Sequence, residues 1–457
     1  MFIYNHYLKF FHILSSNNTR IKDFQKVILS LGYLVFNYAA LTSGILRPLE
    51  HMKNNYKILN VSKPFNSPLI SEKPFLVLGA GPSFQKNITW IKENQHKFII
   101  VAVSALLSAL EEHNIKPHIV THVHGFNDAL PHVQKVKDMS FFDTTIEMFS
   151  TFTTTSFLSY FQKENIYLFQ GTSEFKKGFS SFSASNIGAL TYGLLLRLGV
   201  DNLYLLGLDF AIDENTGATH SASHEYSKQL DVKKTSYDIE DEISYQNSVV
   251  PTKGNFKQEV KTNLILDGFK KQANLMTKLY KRKHTNIYNL SDGAHLQDTI
   301  ALQPHKVKMN DAIKFTEAYH TLKQIYEKHS ESILKEEDIQ ALKAKLVYIK
   351  KLKAILQEYS KRKYSTMDLF HYNLLGLFQD ILAEDFDEDA RELNDVISIY
   401  LQYVSGFVFD IINTRELKNE KHHIKALNKI IIFEIDKLIT HYEDFLENFL
   451  KAIKEKG

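Results

Sequence analysis

Short apolar runs recur through the middle of the chain, and longer mixed segments separate them. The segment that ends at Gly199 carries apolar residues three and four positions apart, which is typical of a helix. Strands that alternate with such helices form a mostly parallel sheet with helices on both faces. The pattern therefore predicts a Rossmann-like α/β fold. The seven predicted strands are 75–78, 98–103, 118–123, 144–149, 166–169, 203–206 and 286–289.

The two ends of the chain follow a helical pattern instead. Residues 1–73 are predicted to form helices that end in the proline-interrupted linker 60–73. Residues 306–457 contain no proline, and two apolar stripes at coiled-coil-like spacing predict an all-α C-terminal domain. The α/β domain is then expected to span 74–305, and the acidic run 384–389 is predicted to be a solvated turn. The stripes consist of Leu342, Leu346, Ile349 and Leu356, and of Ile424, Leu427, Ile431, Leu438, Tyr442, Phe445 and Phe449.

The first predicted strand leads directly into the sequence GAGPS. Gly79 and Gly81 allow a tight turn and a close approach to a ligand. Pro82 suits the first turn of a helix, and Ser83 adds a hydroxyl at the amino end of that helix. This is the composition of a phosphate-binding loop. An ordinary strand-to-helix turn has the same composition, so both interpretations stay open.

A second helix start and a second strand end repeat this design. Ser185 and Asn186 precede the helical pattern as capping residues, and the strand 203–206 leads to Asp209. Ligands bind beyond the carboxyl ends of the strands in open α/β sheets. Asp209 and this helix start are therefore expected near a ligand site.

Six motifs in a fixed order make the chain resemble a known family. After GAGPS, the S-N-I-G helix start and the LYLLGLDF strand come G-A-T-H (217–220), P-x-x-G-N-F (251–256) and YNLSDGAHLQDT (288–299). The ordered set resembles the motility accessory factors (Maf), which are flagellin glycosyltransferases, over about residues 25–305. A fainter likeness links 79–83 and 203–210 with bacterial sialyltransferases that use CMP-activated sugars.

The resemblance implies that a nonulosonic acid, pseudaminic or legionaminic acid, is transferred from a CMP-activated donor to Ser or Thr hydroxyls of flagellin. It also implies that flagellum assembly and motility require this glycosylation. No cofactor is expected, and no metal is predicted, because a CMP leaving group carries little charge. The two helix starts would hold the nucleotide and its phosphate, with ordinary helix capping as the alternative for each serine. The expected donor-binding residues are Gly79, Gly81, Pro82, Ser83, Ser104, Ser185 and Asn186, with Ser104 at the base or ribose.

The acceptor hydroxyl needs a base, and the polar stretch 216–226 offers one. His220 matches the histidine of the family's G-x-T-H pattern, and an ordinary imidazole pKa of about 6.5 suits proton transfer near neutral pH. His224 is the alternative base. Asp209 is expected to orient that histidine or to bind a sugar hydroxyl, unless it is a structural carboxylate at a strand end.

One position departs from the family pattern. His124 stands where the related proteins commonly carry an aspartate, so the sugar is held differently or the alignment is shifted. His122 and His124 would point to one face of a strand, as a metal-binding pair does. No acidic residue immediately completes the pair, which argues against a metal site.

The closing motif offers Ser291, Asp292 and His295 in a predicted turn after the last strand. These side chains are suited to line a sugar pocket. Asp-Gly is also an ordinary turn dipeptide, so the two interpretations have equal weight.

The composition of the chain excludes some kinds of site and gives no support to others. The chain has 457 residues and no cysteine, which excludes disulfides and thiolate metal sites. Its 55 basic and 52 acidic residues give a net charge of +3 and no reason to expect nucleic acid as a partner.

The uncharged segment 27–46 is long enough to span a membrane, yet its polar and aromatic residues favour a packed helical hairpin. With no recognisable secretory signal, a cytoplasmic protein is expected.

Two other functions fit the same sequence. The central domain also resembles archaeal pterin diphosphokinases, which would bind ATP with magnesium through acidic ligands. A non-catalytic chaperone that binds flagellin is the third candidate, and the departure at His124 favours it. In either flagellin-related function, the C-terminal helices are expected to hold flagellin monomers before export. The oligomeric state is left open.

Overall fold

The described residues of the chain form a ten-stranded sheet, an antiparallel hairpin and a C-terminal helical bundle. The computed structural model describes residues 38–171, 173–221, 229–230, 249–309, 311–383, 391–412 and 418–455. The strands are β1 (Lys57–Leu59), β2 (Pro74–Leu78), β3 (Ile99–Val103), β4 (Ile119–His122), β5 (Ile146–Ser150), β6 (Ile166–Phe169), β7 (Asn202–Leu206), β8 (Val249–Lys253), β9 (Glu259–Asn263), β10 (Asn286–Asn289), β11 (Ile300–Ala301) and β12 (Ser330–Glu331).

Helices precede, separate and follow these strands. Helix α8 shows how the sequence sets its ends: the Asn186 side chain accepts a hydrogen bond from the Ala189 amide, and Gly199 ends the helix in the left-handed conformation. The helices are α1 (Tyr38–Lys53), α2 (Pro68–Glu72), α3 (Pro82–Lys86), α4 (Ile88–Asn94), α5 (Leu107–Glu112), α6 (Pro131–Gln134), α7 (Thr155–Leu158), α8 (Ile187–Leu198), α9 (Leu264–Tyr280), α10 (Phe315–Lys328), α11 (Glu336–Lys361), α12 (Met367–Ala383), α13 (Arg391–Ile412) and α14 (Glu420–Lys454).

The sheet has the strand order β11-β10-β7-β2-β3-β4-β5-β6-β1-β12. Every neighbouring pair is parallel except β1 and β12. The chain runs outward from β2 to β6 and then returns to place β7 on the other side of β2. The strand order therefore reverses between β2 and β7, and ligands bind at such a switch point in open α/β sheets.

Both faces of the sheet are covered, as the α/β prediction requires. Phe75 and Val77 of β2 point into one apolar cluster, which includes α8, and Leu76 and Leu78 point into another on the opposite face. All seven predicted strands are present, and the Rossmann-like, mostly parallel α/β fold class is confirmed.

The C-terminal helices pack as a bundle on one region of the sheet. Leu342 of α11 and Ile435 of α14 share an apolar cluster with Phe149 of β5 and Leu168 of β6, and helix α1 contributes Leu49 to it. Both predicted stripes are confirmed as bundle core, since their members are buried or pack against this cluster. The acidic run 384–389 lies outside the described residues.

Several short elements were not predicted. Strand β1 and helix α2 lie in a region expected to be helix and linker, and β12 extends the sheet beyond residue 305. Residues 27–37 of the apolar segment 27–46 lie outside the described part of the chain. Within that part, no helix combines the length and the apolar character needed to cross a membrane.

Candidate functional site

The glycine turn after β2 packs directly against the turn after β7. The Gly79 amide donates to the Leu206 carbonyl at 2.9 Å, and the Gly81 amide donates to the Gly207 carbonyl at 2.8 Å. A Cβ atom on Gly207 would lie 2.1 Å from the Gly79 carbonyl oxygen, and Gly207 has a φ of +80°. Glycine is therefore required here because two backbone turns touch.

The carboxylate of Asp209 links the two turns through hydrogen bonds. The Ser83 amide donates to Asp209 Oδ2 at 3.1 Å, and the Ser83 hydroxyl donates to Asp209 Oδ1. The Asp292 amide in turn donates to Ser83 Oγ at 2.7 Å. The motifs after β2, β7 and β10 thus meet at one serine. We call the group formed by residues 79–83, 207–209 and 292 the switch-point corner.

Asp209 is almost completely buried, and both of its carboxylate oxygens accept hydrogen bonds from the neutral donors of Ser83. Burial raises its pKa to about 6, although the Ser83 hydrogen bonds and the nearby Lys86 act in the opposite direction. The side chain is therefore ionised near neutral pH and titrates just below it. A carboxylate with such a pKa inside a sheet-edge pocket is a common feature of functional sites.

A polar pocket opens beside Asp209. Lys86 of α3 pairs with Asp213 at 2.5 Å, and Lys257 of the β8–β9 turn pairs with Glu214 at 2.7 Å. Burial alone would raise the pKa of Asp213, but hydrogen bonds from Lys86 and Thr216 outweigh it and bring the pKa to about 2. The pocket is lined by Pro82, Lys86, Asp209, Ala211, Ile212, Asp213, Glu214, Asn215, Lys257, Val260 and Asp292.

The loop that carries His220 docks on the glycine turn. The Ser221 amide donates to the Ala80 carbonyl at 2.7 Å. Thr219 Oγ1 lies 3.0 Å from His220 Nδ1, and partial burial lowers the pKa of His220 to about 4. The imidazole is therefore neutral at pH 7, which is the form that accepts a proton. His224, the alternative base, lies outside the described residues.

A second serine lies at the end of the neighbouring strand β3. Ser104 Oγ lies 2.7 Å from His122 Nδ1, and His122 Nε2 lies 3.1 Å from the His124 carbonyl oxygen. Because a carbonyl can only accept, the proton sits on Nε2, and Nδ1 accepts from Ser104. Burial holds the pKa of His122 well below its usual range. We call Ser104, His122 and the adjacent His132 the histidine corner.

The His122-x-His124 pair does not form a joint side-chain site. The His122 ring is buried and stacks on Phe157 with ring centroids 3.9 Å apart, whereas Nδ1 of the half-buried His124 ring lies 3.0 Å from Asp128 Oδ1. Among the described residues, no group of three or more His, Cys, Asp or Glu side chains is arranged to hold a metal ion.

The start of α8 provides the remaining predicted residues. The Ser185 amide and hydroxyl both donate to Gln272 Oε1 of α9. Asn186 caps α8 through Oδ1, while its Nδ2 is buried and has no hydrogen-bond partner in the described part of the chain. Cβ atoms built on Gly188 and on Gly79 would lie 3.7 Å and 2.8 Å from the same side chain, Leu208, so this helix start lies near the glycine turn.

The structure brings most of the predicted residues to one edge of the sheet, but their polar groups already have partners. The amides of Gly79, Gly81 and Ser83 bond to the neighbouring strand or its turn, and Ser104 and Ser185 bond to side chains. Donor binding by these groups therefore stays a prediction. Lys86, Asp213 and Lys257 were missed, because their only signal is proximity across the switch point.

Comparisons with known proteins agree with this architecture. A family model described as 6-hydroxymethylpterin diphosphokinase MptE-like matches residues 46–215. No curated protein matches the sequence. The structure is similar to that of a Maf glycosyltransferase from Magnetospirillum magneticum AMB-1, with a TM-score of 0.60 and 14% sequence identity. The match covers 94% of this chain and 63% of that chain. At the level of fold, it confirms the resemblance to Maf proteins that the ordered motifs indicate.

Proposed function

We propose that this protein is a glycosyltransferase that moves a nonulosonic acid, pseudaminic or legionaminic acid, from a CMP-activated donor to Ser or Thr hydroxyls of flagellin in the cytoplasm. The fold likeness to a Maf glycosyltransferase supports the reaction class. The motif resemblance supports the donor and the acceptor.

The main observation that supports the proposal is that four of the motifs lie together at the switch point of the sheet. GAGPS, LYLLGLDF, G-A-T-H and the closing turn are spread over more than 200 residues, yet Ser83, Asp209 and Asp292 share hydrogen bonds. The His220 loop joins them through Ser221 and Ala80. These are the motifs that indicate the Maf family, and they meet where an α/β sheet binds its ligands.

The donor phosphate is expected at the start of α8. This helix has 12 residues, and its amino end favours an anion. Asn186 Nδ2 is a buried donor without a partner among the described residues, so a bound phosphate oxygen would satisfy it. In this proposal, the glycine turn shapes the pocket through backbone packing.

His220 is proposed as the base. The acceptor oxygen attacks the anomeric carbon, the bond from that carbon to the phosphate oxygen breaks, and CMP leaves with the electron pair. His220 accepts the proton of the acceptor hydroxyl, and the single displacement inverts the anomeric centre. Because the pKa of His220 is lowered to about 4, kcat/KM should not fall near pH 6.5 as it would for an ordinary histidine.

The test is the intact mass of flagellin co-expressed with this protein and a nonulosonate pathway. We expect mass increments of whole sugars. His220→Ala should lower the transfer rate by about 100- to 10,000-fold, whereas His305→Ala, at an exposed histidine, should leave it unchanged. No increment and no CMP release with the native chain would favour the flagellin-binding chaperone.

The family match gives a second candidate, a pterin diphosphokinase-like enzyme. Such an enzyme would transfer diphosphate from ATP to a hydroxymethylpterin and release AMP. Incubation with both substrates and magnesium, followed by measurement of AMP, tests it. AMP formed only when the pterin is present would replace the glycosyltransferase proposal.

A further inference from the structure

An open groove of about 630 Å³ lies at one end of the C-terminal bundle, where the segment between α11 and α12 meets the first turns of α12 and α14. The Met367 amide at the start of α12 donates to Glu420 Oε1 at the start of α14 at 2.6 Å, which holds the two helix starts together. We call this surface the basic groove. It is lined by Arg362, Lys363, Tyr364, Ser365, Leu369, Asn373 and Lys421.

Positive charge is concentrated on both sides of the groove. The run KRKYS at 361–365 begins at the last residue of α11, and the run KNEKHH at 418–423 includes the first turn of α14. The acidic residue of the second run, Glu420, accepts the Met367 amide. Lys363 and Lys421 are exposed and form no ion pair with any described residue. The groove therefore has unneutralised cationic charge on both sides.

One cation is fixed in position. The Arg362 guanidinium lies over the Tyr359 ring, 3.7 Å from its centroid, and donates to Glu358 at 2.5 Å and to Asn373 at 3.2 Å. An arginine held in this way loses little side-chain freedom when it binds a carboxylate. Arg362 is thus a preorganised residue of the groove lining, and part of its charge is offset by the ion pair with Glu358.

The groove continues into an apolar stripe. Leu369 lines it and is 48% exposed, and Tyr372 and Leu375 follow at intervals of three on α12 with 74% and 45% of their surface exposed. Residues three positions apart on a helix lie on one side of it. A partner in the groove would therefore meet cations at one end and apolar side chains along α12.

We propose that the basic groove binds an acidic, amphipathic segment of a protein partner. The carboxylates of such a segment match the unpaired cations Lys363 and Lys421, with Arg362 beside them, and its apolar face matches the α12 stripe. A bilayer surface does not enter a concave groove. The bases of a nucleic acid stack on aromatic rings such as Tyr372, but they offer no aliphatic side chain to the leucines of the α12 stripe. The proposal is independent of the transferase activity, because it concerns a different part of the molecule.

The experiment measures binding of a fluorescent helical peptide, with Glu on one face and Leu on the other, to the full-length chain by anisotropy. Lys363→Glu with Lys421→Glu should weaken binding by about tenfold or more. The matched control is Lys350→Glu with Lys437→Glu. These lysines are exposed and lie about 18 and 24 Å from the groove along α11 and α14. The control should change the affinity by less than about twofold. Leu369→Ser should also weaken binding although it changes no charge.

Other outcomes would overturn the proposal. Equal losses in the two charge-reversed variants would mean non-specific attraction to a basic surface. If the peptide does not bind, the same assay is run with anionic vesicles and with single-stranded RNA. Binding of either one that Lys363→Glu abolishes would assign the surface to that class of partner. Thermal unfolding of each variant excludes loss of the fold, and Leu369→Ser keeps the test valid if a charge reversal unfolds the bundle.

Discussion

Two buried serines at the carboxyl edge of the sheet are held in different ways. Ser83 follows β2 and bonds to the carboxylate of Asp209, 126 positions away, inside tightly packed backbone. Ser104 follows the neighbouring strand β3 and bonds to the imidazole of His122, 18 positions away, among aromatic rings. The switch-point corner thus depends on glycine and a buried charge, whereas the histidine corner depends on neutral side chains. The two should respond differently to substitution and to pH.

The largest expected effect is that of Gly81→Ala in the switch-point corner. A Cβ atom there would lie 2.2 Å from Asp209 Oδ2 and 2.6 Å from the Gly207 carbonyl oxygen. Since backbone atoms cannot move away easily, we expect a loss of about 3 kcal/mol or more in the free energy of unfolding, measured by urea titration. The control is Gly268→Ala in α9, where nothing lies within 4 Å of the added atom. It should stabilise the helix by about 0.5–1 kcal/mol. Similar values for the two variants would contradict the packing described.

The next effect is the pH dependence contributed by Asp209. Burial raises its pKa to about 6, so the folded protein retains a proton that the unfolded chain releases near pH 4. The stability that this proton provides is present below about pH 4 and is lost as the pH rises through about 6. The loss amounts to about 3 kcal/mol. Asn does not titrate, so the unfolding free energy of Asp209→Asn relative to the native chain should rise by this amount between pH 4 and pH 7.

The histidine corner should show the opposite sign. The pKa of His122 is lowered, so its contribution to stability is present above the unfolded value of about 6.5 and is lost as the pH falls. His122→Gln should therefore gain stability relative to the native chain on acidification. A parallel pH dependence of the Asp209 and His122 variants would contradict the different origins of the two pKa shifts.

Most of the sheet could be predicted from sequence, because its buried strands are continuous apolar runs. The end of α8 was equally clear, since Gly199 is the left-handed residue that ends the helix. Strands β1 and β12 could not be found, because two or three residues give no periodicity. Their place depends on pairing with each other and with β6, which comes from distant parts of the chain.

The structure places several of the residues named from the sequence close together, but their hydrogen-bond partners could not be predicted. Strand ends identified Ser83, Ser104 and Asp209, and the order of the motifs indicated a common site. The strand order, with β7 beside β2, is what brings Asp209 to Ser83. A single sequence does not specify that order, so it does not reveal that both serine hydroxyls have partners within the chain.

The smallest expected effect compares the two serines directly. Ser83→Ala removes a donor to a buried carboxylate and an acceptor for the Asp292 amide, so it should cost about 2 kcal/mol. Ser104→Ala removes one hydrogen bond to a neutral imidazole and should cost about 1 kcal/mol. Urea titration of each variant and of the native chain at pH 7 measures both losses in the free energy of unfolding.

The pH dependence separates the two variants further. The Ser83 hydrogen bonds lower the pKa of Asp209, so Ser83→Ala should raise that pKa and enlarge the stability lost between pH 4 and pH 7. Ser104→Ala removes no bond to a charged group and should leave this dependence unchanged. If Ser104→Ala cost as much as Ser83→Ala and changed the same pH range, the charge on Asp209 would not be what distinguishes the two corners.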